Sequence, residues 1–136
     1  MTIVLDASAV IGVVLIMPDS IRHAKILEEA DLVVAPDLFV AEVCNTMWKY
    51  RRANLLSSRE CESALEHALG LADRLESSQD LYREAFALAE RHDHPVYDTL
   101  YLVLARRNNA LLLTRDRRLA ELARKLEIAL SIPGAS

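Results

Sequence analysis

Thr2-Ile3-Val4-Leu5-Asp6-Ala7-Ser8-Ala9 opens the chain with an apolar, β-branched run that stops at an acid and passes straight into small residues. Three apolar side chains without polar alternation read as a strand buried on both faces, and residues 7–16, ended by Pro18, read as a helix. The unit then recurs. Ser20 is placed to cap a helix running to Glu29, and Leu32-Val33-Val34-Ala35 supplies a second short strand that stops at Pro36. Strands alternating with helices predict a parallel sheet.

The rest of the chain keeps that rhythm. Asp37 can cap the next helix, in which Val40, Val43, Cys44, Met47 and Trp48 hold helical spacing while Glu42, Asn45 and Lys49 share another face. Ser57-Ser58 with Glu60 begins a further helix that Gly70 stops, residues 72–75 offer a short strand, and residues 79–91 form an amphipathic helix. Pro95 breaks the chain before Asp98, which opens a helical run over residues 99–107. Every side chain from Leu100 to Ala105 is apolar or aromatic, so this helix is expected to be enclosed on most sides. Asn108-Asn109 turns into a strand over residues 110–114, then Leu119, Leu122, Ala123 and Leu126 mark a last helix, and residues 128–130 a final edge strand. No internal repeat interrupts the series.

At 136 residues, one domain with one core is expected, because a chain of this size buries roughly two-thirds of its unfolded surface. A hydrophobic content of 52% with three Gly and four Pro describes a dense, helix-rich globule and excludes a disordered chain. The start lacks the basic region and cleavage site of a secretory signal, and no apolar stretch approaches the ~20 residues of a membrane span. A cytoplasmic protein is expected. Cys44 and Cys61 lack metal-type spacing, which argues against a structural zinc or a disulfide framework. The formal charge of −4 speaks against a broad basic platform for nucleic acid, but acids that hold a cation would account for part of it.

Four acids carry the chemical interest: Asp6 closing the first strand, Glu42 within a helix, Asp98 before the enclosed helix, and Asp116 after the apolar run Leu111-Leu112-Leu113. Ligands in open α/β sheets gather beyond the carboxyl ends of the strands, so these four can meet there. Each has a plainer reading: Asp6, Asp98 and Asp116 as helix caps, Glu42 as a solvated helix position. Together they are costly neighbours, since two carboxylates ~4 Å apart repel by roughly 4 kcal/mol at an effective dielectric of about 20. A hard divalent cation, Mg²⁺ or Mn²⁺, removes that repulsion and can activate water against a phosphodiester. Ser8 and Thr114 are placed to orient the ligands. His92-Asp93-His94 reads as a surface turn, because i and i+2 side chains diverge and Pro95 follows. Trp48-Lys49-Tyr50-Arg51-Arg52 reads either as an ordinary basic helix end or as a surface for single-stranded nucleic acid, with Lys49 and Arg115 the candidate phosphate contacts.

Val4-Leu5-Asp6-Ala7-Ser8-Ala9, Ala41-Glu42-Val43, Val96-Tyr97-Asp98-Thr99-Leu100-Tyr101 and Leu113-Thr114-Arg115-Asp116 together resemble the PIN-domain family, in order and over nearly the whole chain. The size resembles a VapC-type toxin ribonuclease of a toxin–antitoxin pair. The resemblance implies a three-layer α/β/α fold with a parallel sheet of four to five strands and Mg²⁺- or Mn²⁺-dependent cleavage of RNA. It further implies a homodimer, and inhibition by a VapB-type antitoxin. It makes Asp6, Glu42, Asp98 and Asp116 the metal-binding acids, with Ser8 and Thr114 in support. Thr99 stands where the family often has Ala; its hydroxyl is expected to fit. Three alternatives compete with the toxin reading: a PIN-family RNA-processing nuclease, an inert partner-binding module, and a phosphotransfer protein modified on Asp6. The last would want a second acid where Ser8 stands and a lysine just after a late apolar strand, where none stands.

Overall fold

The run Ile3-Val4-Leu5 is fully buried, as strand β1 (Thr2–Leu5) at the middle of a five-stranded parallel sheet. In the computed structural model, which describes residues 1–133, β1 is flanked by β2 (Leu32–Pro36) and β4 (Leu111–Leu113). β3 (Arg74–Glu76) pairs with β2 and β5 (Leu130–Ser131) with β4, giving the order β3-β2-β1-β4-β5. The chain winds outward from β1 to β3 on one side, then returns to add β4 and β5 on the other. Strand order therefore reverses between β1 and β4, the place where open α/β sheets form a ligand crevice.

Alternation along the strands sorts the core into two layers. Ile3, Leu5, Val33, Ala35 and Leu113 pack with α1 (Ala7–Val14), α3 (Leu38–Arg52) and α4 (Ser58–Gly70), with α2 (Ile21–Glu29) at the margin. Val4, Val34 and Leu112 pack with α5 (Ser78–His92), α6 (Val96–Asn108) and α7 (Arg117–Lys125). This is the expected three-layer α/β/α arrangement. Residues Thr99 to Ala105 of α6 are all buried, and each large apolar side chain among them contributes about 1.5–3 kcal/mol by leaving water. Asp98 is thus carried by the most firmly held helix of its layer. Gly12 serves a close approach: a Cβ there would stand 2.2 Å from Ser20 Oγ and 2.9 Å from Arg115 Cδ. Among the described residues no helix is long and apolar enough to cross a membrane. Cys44 is exposed, Cys61 is buried, and both are free.

Several boundaries differ from the sequence expectation for local reasons. α6 starts at Val96, directly after Pro95 at its N-cap, so Asp98 lies in the first turn and does not precede the helix. β3 begins later than residue 72, because Asp73 clamps the edge of β2 first: its N–H donates to the Val33 carbonyl and its carboxylate accepts from Val33 N–H, each at 2.8 Å. β5 is likewise displaced to Leu130–Ser131. Asp37 stands at the N-cap of α3 without capping it; its carboxylate accepts from the backbone N–H and hydroxyl of Ser78. Ser20 also forgoes capping, its hydroxyl lying against Arg115. The capping box of Ser57 and Glu60 forms as expected.

Candidate active site

Asp6 leaves β1 at the point where strand order reverses, and Asp116 follows β4 on the other side of that point. The sheet therefore brings together two acids that are 110 positions apart in the chain. Asp6 occupies the N-cap of α1 yet makes no side-chain cap bond. Its Oδ2 instead accepts from Ser8 Oγ at 2.5 Å and from Thr114 Oγ1 at 2.7 Å, while the two hydroxyls lie 3.3 Å apart. Ser8 Oγ also accepts from the Arg115 N–H, and Thr114 Oγ1 from the Asp116 N–H, so the ends of β1 and β4 are stitched through the acid. A plain capping role for Asp6 is excluded by this geometry.

Glu42 reaches the same region from α3, where the phenol of Tyr101 on α6 donates to its Oε1 at 2.7 Å. Burial, assisted by the charges of Asp6 and Glu42, holds the Tyr101 phenol well above its ordinary pKa, so it remains a donor. Asp98 accepts on Oδ2 from His94 Nε2 at 2.8 Å; an ionised carboxylate only accepts, so the ring carries its proton on Nε2. Asp116 does cap its helix, its Oδ1 accepting from the N–H groups of Arg118 and Leu119 at 2.9 and 3.2 Å. A common pattern emerges. In each of the four acids the protein's hydrogen bonds go to one carboxylate oxygen, and none of these bonds reaches the other.

The electrostatics agree with a shared site. Burial pushes the Asp6 carboxyl from 3.8 up to about 6, opposed by the Ser8 and Thr114 bonds and reinforced by the charges of Asp98 and Asp116. Burial likewise lifts Glu42 from 4.5 to about 7 against the Tyr101 bond, with Asp6, Asp98 and Asp116 adding repulsion. Asp98 is also raised, first by burial and then by Asp116, against the pull of His94. Asp6, Glu42 and Asp98 thus each feel the charge of Asp116, and Asp6 and Glu42 also that of Asp98. Among the described residues no three His, Cys, Asp or Glu side chains are set to hold a metal ion as they stand, so the acids are neighbours without forming a closed cage.

That arrangement suits one class of ion. An all-oxygen donor set, with one oxygen of each acid anchored by the protein, matches Mg²⁺ or Mn²⁺, and Mg²⁺ retains several waters while binding one or two carboxylates. Anchoring of the ligands by neighbouring groups is what fixes such sites. Among the candidate RNA contacts, Lys49 is exposed in the last turn of α3. Arg115 is committed elsewhere, its Nη1 donating to Asp19 Oδ1 at 2.5 Å and to Ser20 Oγ at 2.7 Å.

Two partners of the acids escaped the sequence reading. His94, expected in a surface turn, has a side chain only 7% exposed, because Asp93 adopts a left-handed conformation (φ 50°) that folds His94 back against α6. The usable signal was His94 and Asp98 at i and i+4 across a helix start. Tyr101 was read only as core, and nothing local in the sequence links it to Glu42. Thr99 fits as expected, its hydroxyl donating to the Ala85 carbonyl at 2.7 Å.

Comparison with known proteins identifies the family. The chain is 35% identical over 123 residues to Ribonuclease VapC3 of Pyrobaculum aerophilum, covering 89% of this chain and 94% of that protein. Its fold resembles the crystal structure of PAE2754 from the same organism, with a TM-score of 0.69 and 23% identity over 89% of this chain and 86% of that one. It also resembles VapBC2 from Rickettsia felis, solved with a DNA fragment from its promoter, at a TM-score of 0.69 and 18% identity over 97% and 98% of the two chains. The PIN domain model matches residues 3–125. With that match spanning both strand ends and all four acids, the chain belongs to the PIN-domain family.

Proposed function

We propose that this protein is a divalent-metal-dependent endoribonuclease and the toxin of a VapBC-type toxin–antitoxin pair, acting in the cytoplasm as a homodimer restrained by a VapB-type antitoxin. The observation that carries the chemistry is Asp6: a buried carboxylate at the strand-order reversal, raised to about 6 and facing the charges of Asp98 and Asp116. Burying an acid among acids is unfavourable unless a cation or a proton relieves it. The toxin assignment is supported by the ribonuclease relative and by the fold shared with a VapBC complex.

Asp6, Glu42, Asp98 and Asp116 would hold Mg²⁺ or Mn²⁺ through their unanchored oxygens. A divalent ion bound there supplies charge neutralisation at the phosphoryl group and a lowered pKa for attacking water. The protein's own part is orientation. Ser8 and Thr114 lock the Asp6 rotamer, Tyr101 locks Glu42, His94 locks Asp98, and the N-terminus of α7 locks Asp116.

Asp98→Asn tests the proposal, because Asn preserves shape and removes the charge. The expected result is a normally folded protein whose Mg²⁺-dependent cleavage of single-stranded RNA falls by at least about a hundredfold. Wild-type cleavage by the folded variant would sink the assignment. An inert module is separated by titrating Mn²⁺ into the purified protein: no binding and no thermal stabilisation would favour it. A toxin is separated from a processing nuclease by growth arrest on expression that a co-expressed antitoxin from the adjoining reading frame relieves. Sedimentation of the pure protein tests the dimer.

A further inference from the structure

Beside the acids, α3 and the start of α6 border an open slot of about 280 Å³ lined by Leu38, Ala41, Glu42, Asn45 and Tyr97. We propose that this slot seats one nucleobase of the RNA strand, with the Tyr97 ring as its stacking surface and the Asn45 amide reading its edge. The inference rests on the nuclease reading and deepens it by naming a residue that sets base preference.

The volume is below the range that encloses drug-sized ligands and suits a single planar ring system. Leu38 and Ala41 give apolar contact, while Tyr97 is 68% exposed, unusual for so large a ring. Sequence-specific RNA binding works by splaying a base onto an aromatic face and bonding its edge. Asn45 lies on the face of α3 that carries Glu42, one turn further on, and its exposed amide offers a donor beside an acceptor. Such an amide pairs best with adenine, which presents the complementary pair.

Charge decides the occupant. Glu42 lines the slot and none of its lining side chains is basic, so nothing there pairs with a phosphate and the neutral base is the part of a nucleotide that fits. Further along α3 the last turn carries Lys49, Arg51 and Arg52, with the Arg52 guanidinium 5.3 Å from the centroid of the exposed Trp48 ring. An apolar slot between an acidic, cation-binding centre and a basic, aromatic helix end matches a polyanion with flat apolar side groups. Glu42 belongs both to the slot and to the acidic centre, so the seated base neighbours the scissile phosphate.

The test uses the full chain and four dye-labelled single-stranded RNA hexamers that differ at one central base. Fluorescence anisotropy in EDTA measures binding without cleavage, and cleavage in Mg²⁺ is followed in parallel. The wild type is expected to bind the best hexamer, adenine by the amide's pattern, about tenfold tighter than the worst. Asn45→Ala should reduce that ratio to under about threefold and raise KM for the preferred substrate. Tyr97→Ala should weaken all four about tenfold and Tyr97→Phe should restore them, whereas Lys49→Ala should weaken all four equally and lower the salt dependence. Both slot residues are exposed, so the thermal midpoints of the variants should match the wild type. Discrimination that survives Asn45→Ala overturns the proposal even if RNA is cleaved. Binding with a preference lost in Asn45→Ala upholds it even if cleavage is absent and the nuclease reading fails. A changed oligomeric state in Tyr97→Ala with unchanged RNA binding would assign the slot to a second copy and overturn it.

Discussion

Removing the charge of Asp6 should stabilise the metal-free protein. The carboxyl titrates at about 6 in the folded chain and at 3.8 when unperturbed, and its side chain is almost wholly buried. A folded-state pKa above the unfolded one means that the folded form binds the proton more tightly, so stability is highest below pH 3.8 and declines as pH rises through 6. At about 1.4 kcal/mol for each pH unit, the interval between 3.8 and 6 amounts to about 3 kcal/mol above pH 7. In Asp6→Asn the amide oxygen can take the place of Oδ2 and keep the bonds from Ser8 and Thr114. The variant should therefore unfold at a midpoint about 10 °C above the wild type at pH 8 in EDTA, and within a few degrees of it at pH 4. Thermal and urea unfolding at the two pH values measure the difference. Adding Mn²⁺ at a hundredfold excess over its Kd should raise the wild type by about 2.7 kcal/mol and leave the variant unmoved, closing most of the gap. An Asp6→Asn protein that is no more stable than the wild type at pH 8 would show that the carboxylate is not held against its preference, and the case for a cation here would lose its physical basis.

Three further perturbations probe the anchors. Tyr101→Phe removes the donor that holds Glu42 down, so Glu42, already at about 7, should titrate higher still by carboxyl NMR, with a stability loss of about 1–3 kcal/mol at pH 8 that shrinks below pH 6; an unmoved Glu42 titration would contradict the assigned bond. His23 is buried with Nε2 3.0 Å from the Ser131 carbonyl and Nδ1 without a partner among the described residues, and burial lowers its pKa. Its contribution should be complete above the unfolded value of about 6.5 and lost as pH falls below it, so wild type minus His23→Gln stability should drop between pH 7 and pH 5; a flat difference would refute this. Asp116→Ala should cost about 1 kcal/mol through the lost cap of α7, while Asp116→Asn should keep the cap, and both should lose cleavage. An active Asp116→Asn would reduce Asp116 to a cap alone.

The parts of the fold legible in the sequence were those fixed by local rules. Ile3-Val4-Leu5 and Leu111-Leu112-Leu113 lack polar alternation because both faces of each strand are covered, and Leu100–Ala105 is apolar all round because α6 is enclosed. Edge strands were misplaced because β3 and β5 have few buried positions to mark them; their limits are set by contacts such as Asp73 on Val33, made between distant segments. Caps failed for a related reason. Asp37 and Ser20 carry the right chemistry for capping, but each found a partner outside its helix, in Ser78 and Arg115, that sequence position could not reveal.

The site follows the same division, and that bears on how its acids should be weighed. Position at a strand end or helix start is shared by capping acids and ligand acids alike, so local pattern cannot separate them. What separates them is where the partner of the bonded oxygen lies: Asp6 ignores the nearby helix N-terminus and takes hydroxyls from Ser8 and, across the sheet, Thr114; Glu42 is held from α6 by Tyr101; Asp98 is held from the preceding turn by His94. A solvated or capping acid would gain nothing from a neighbour that fixes its rotamer while burial raises its pKa. Anchoring against electrostatic cost, in three acids at once, is what the proposed cation site would require. Asp116, which does cap, is the one member for which both roles are satisfied by the same geometry, and only the Asn and Ala substitutions together can divide them.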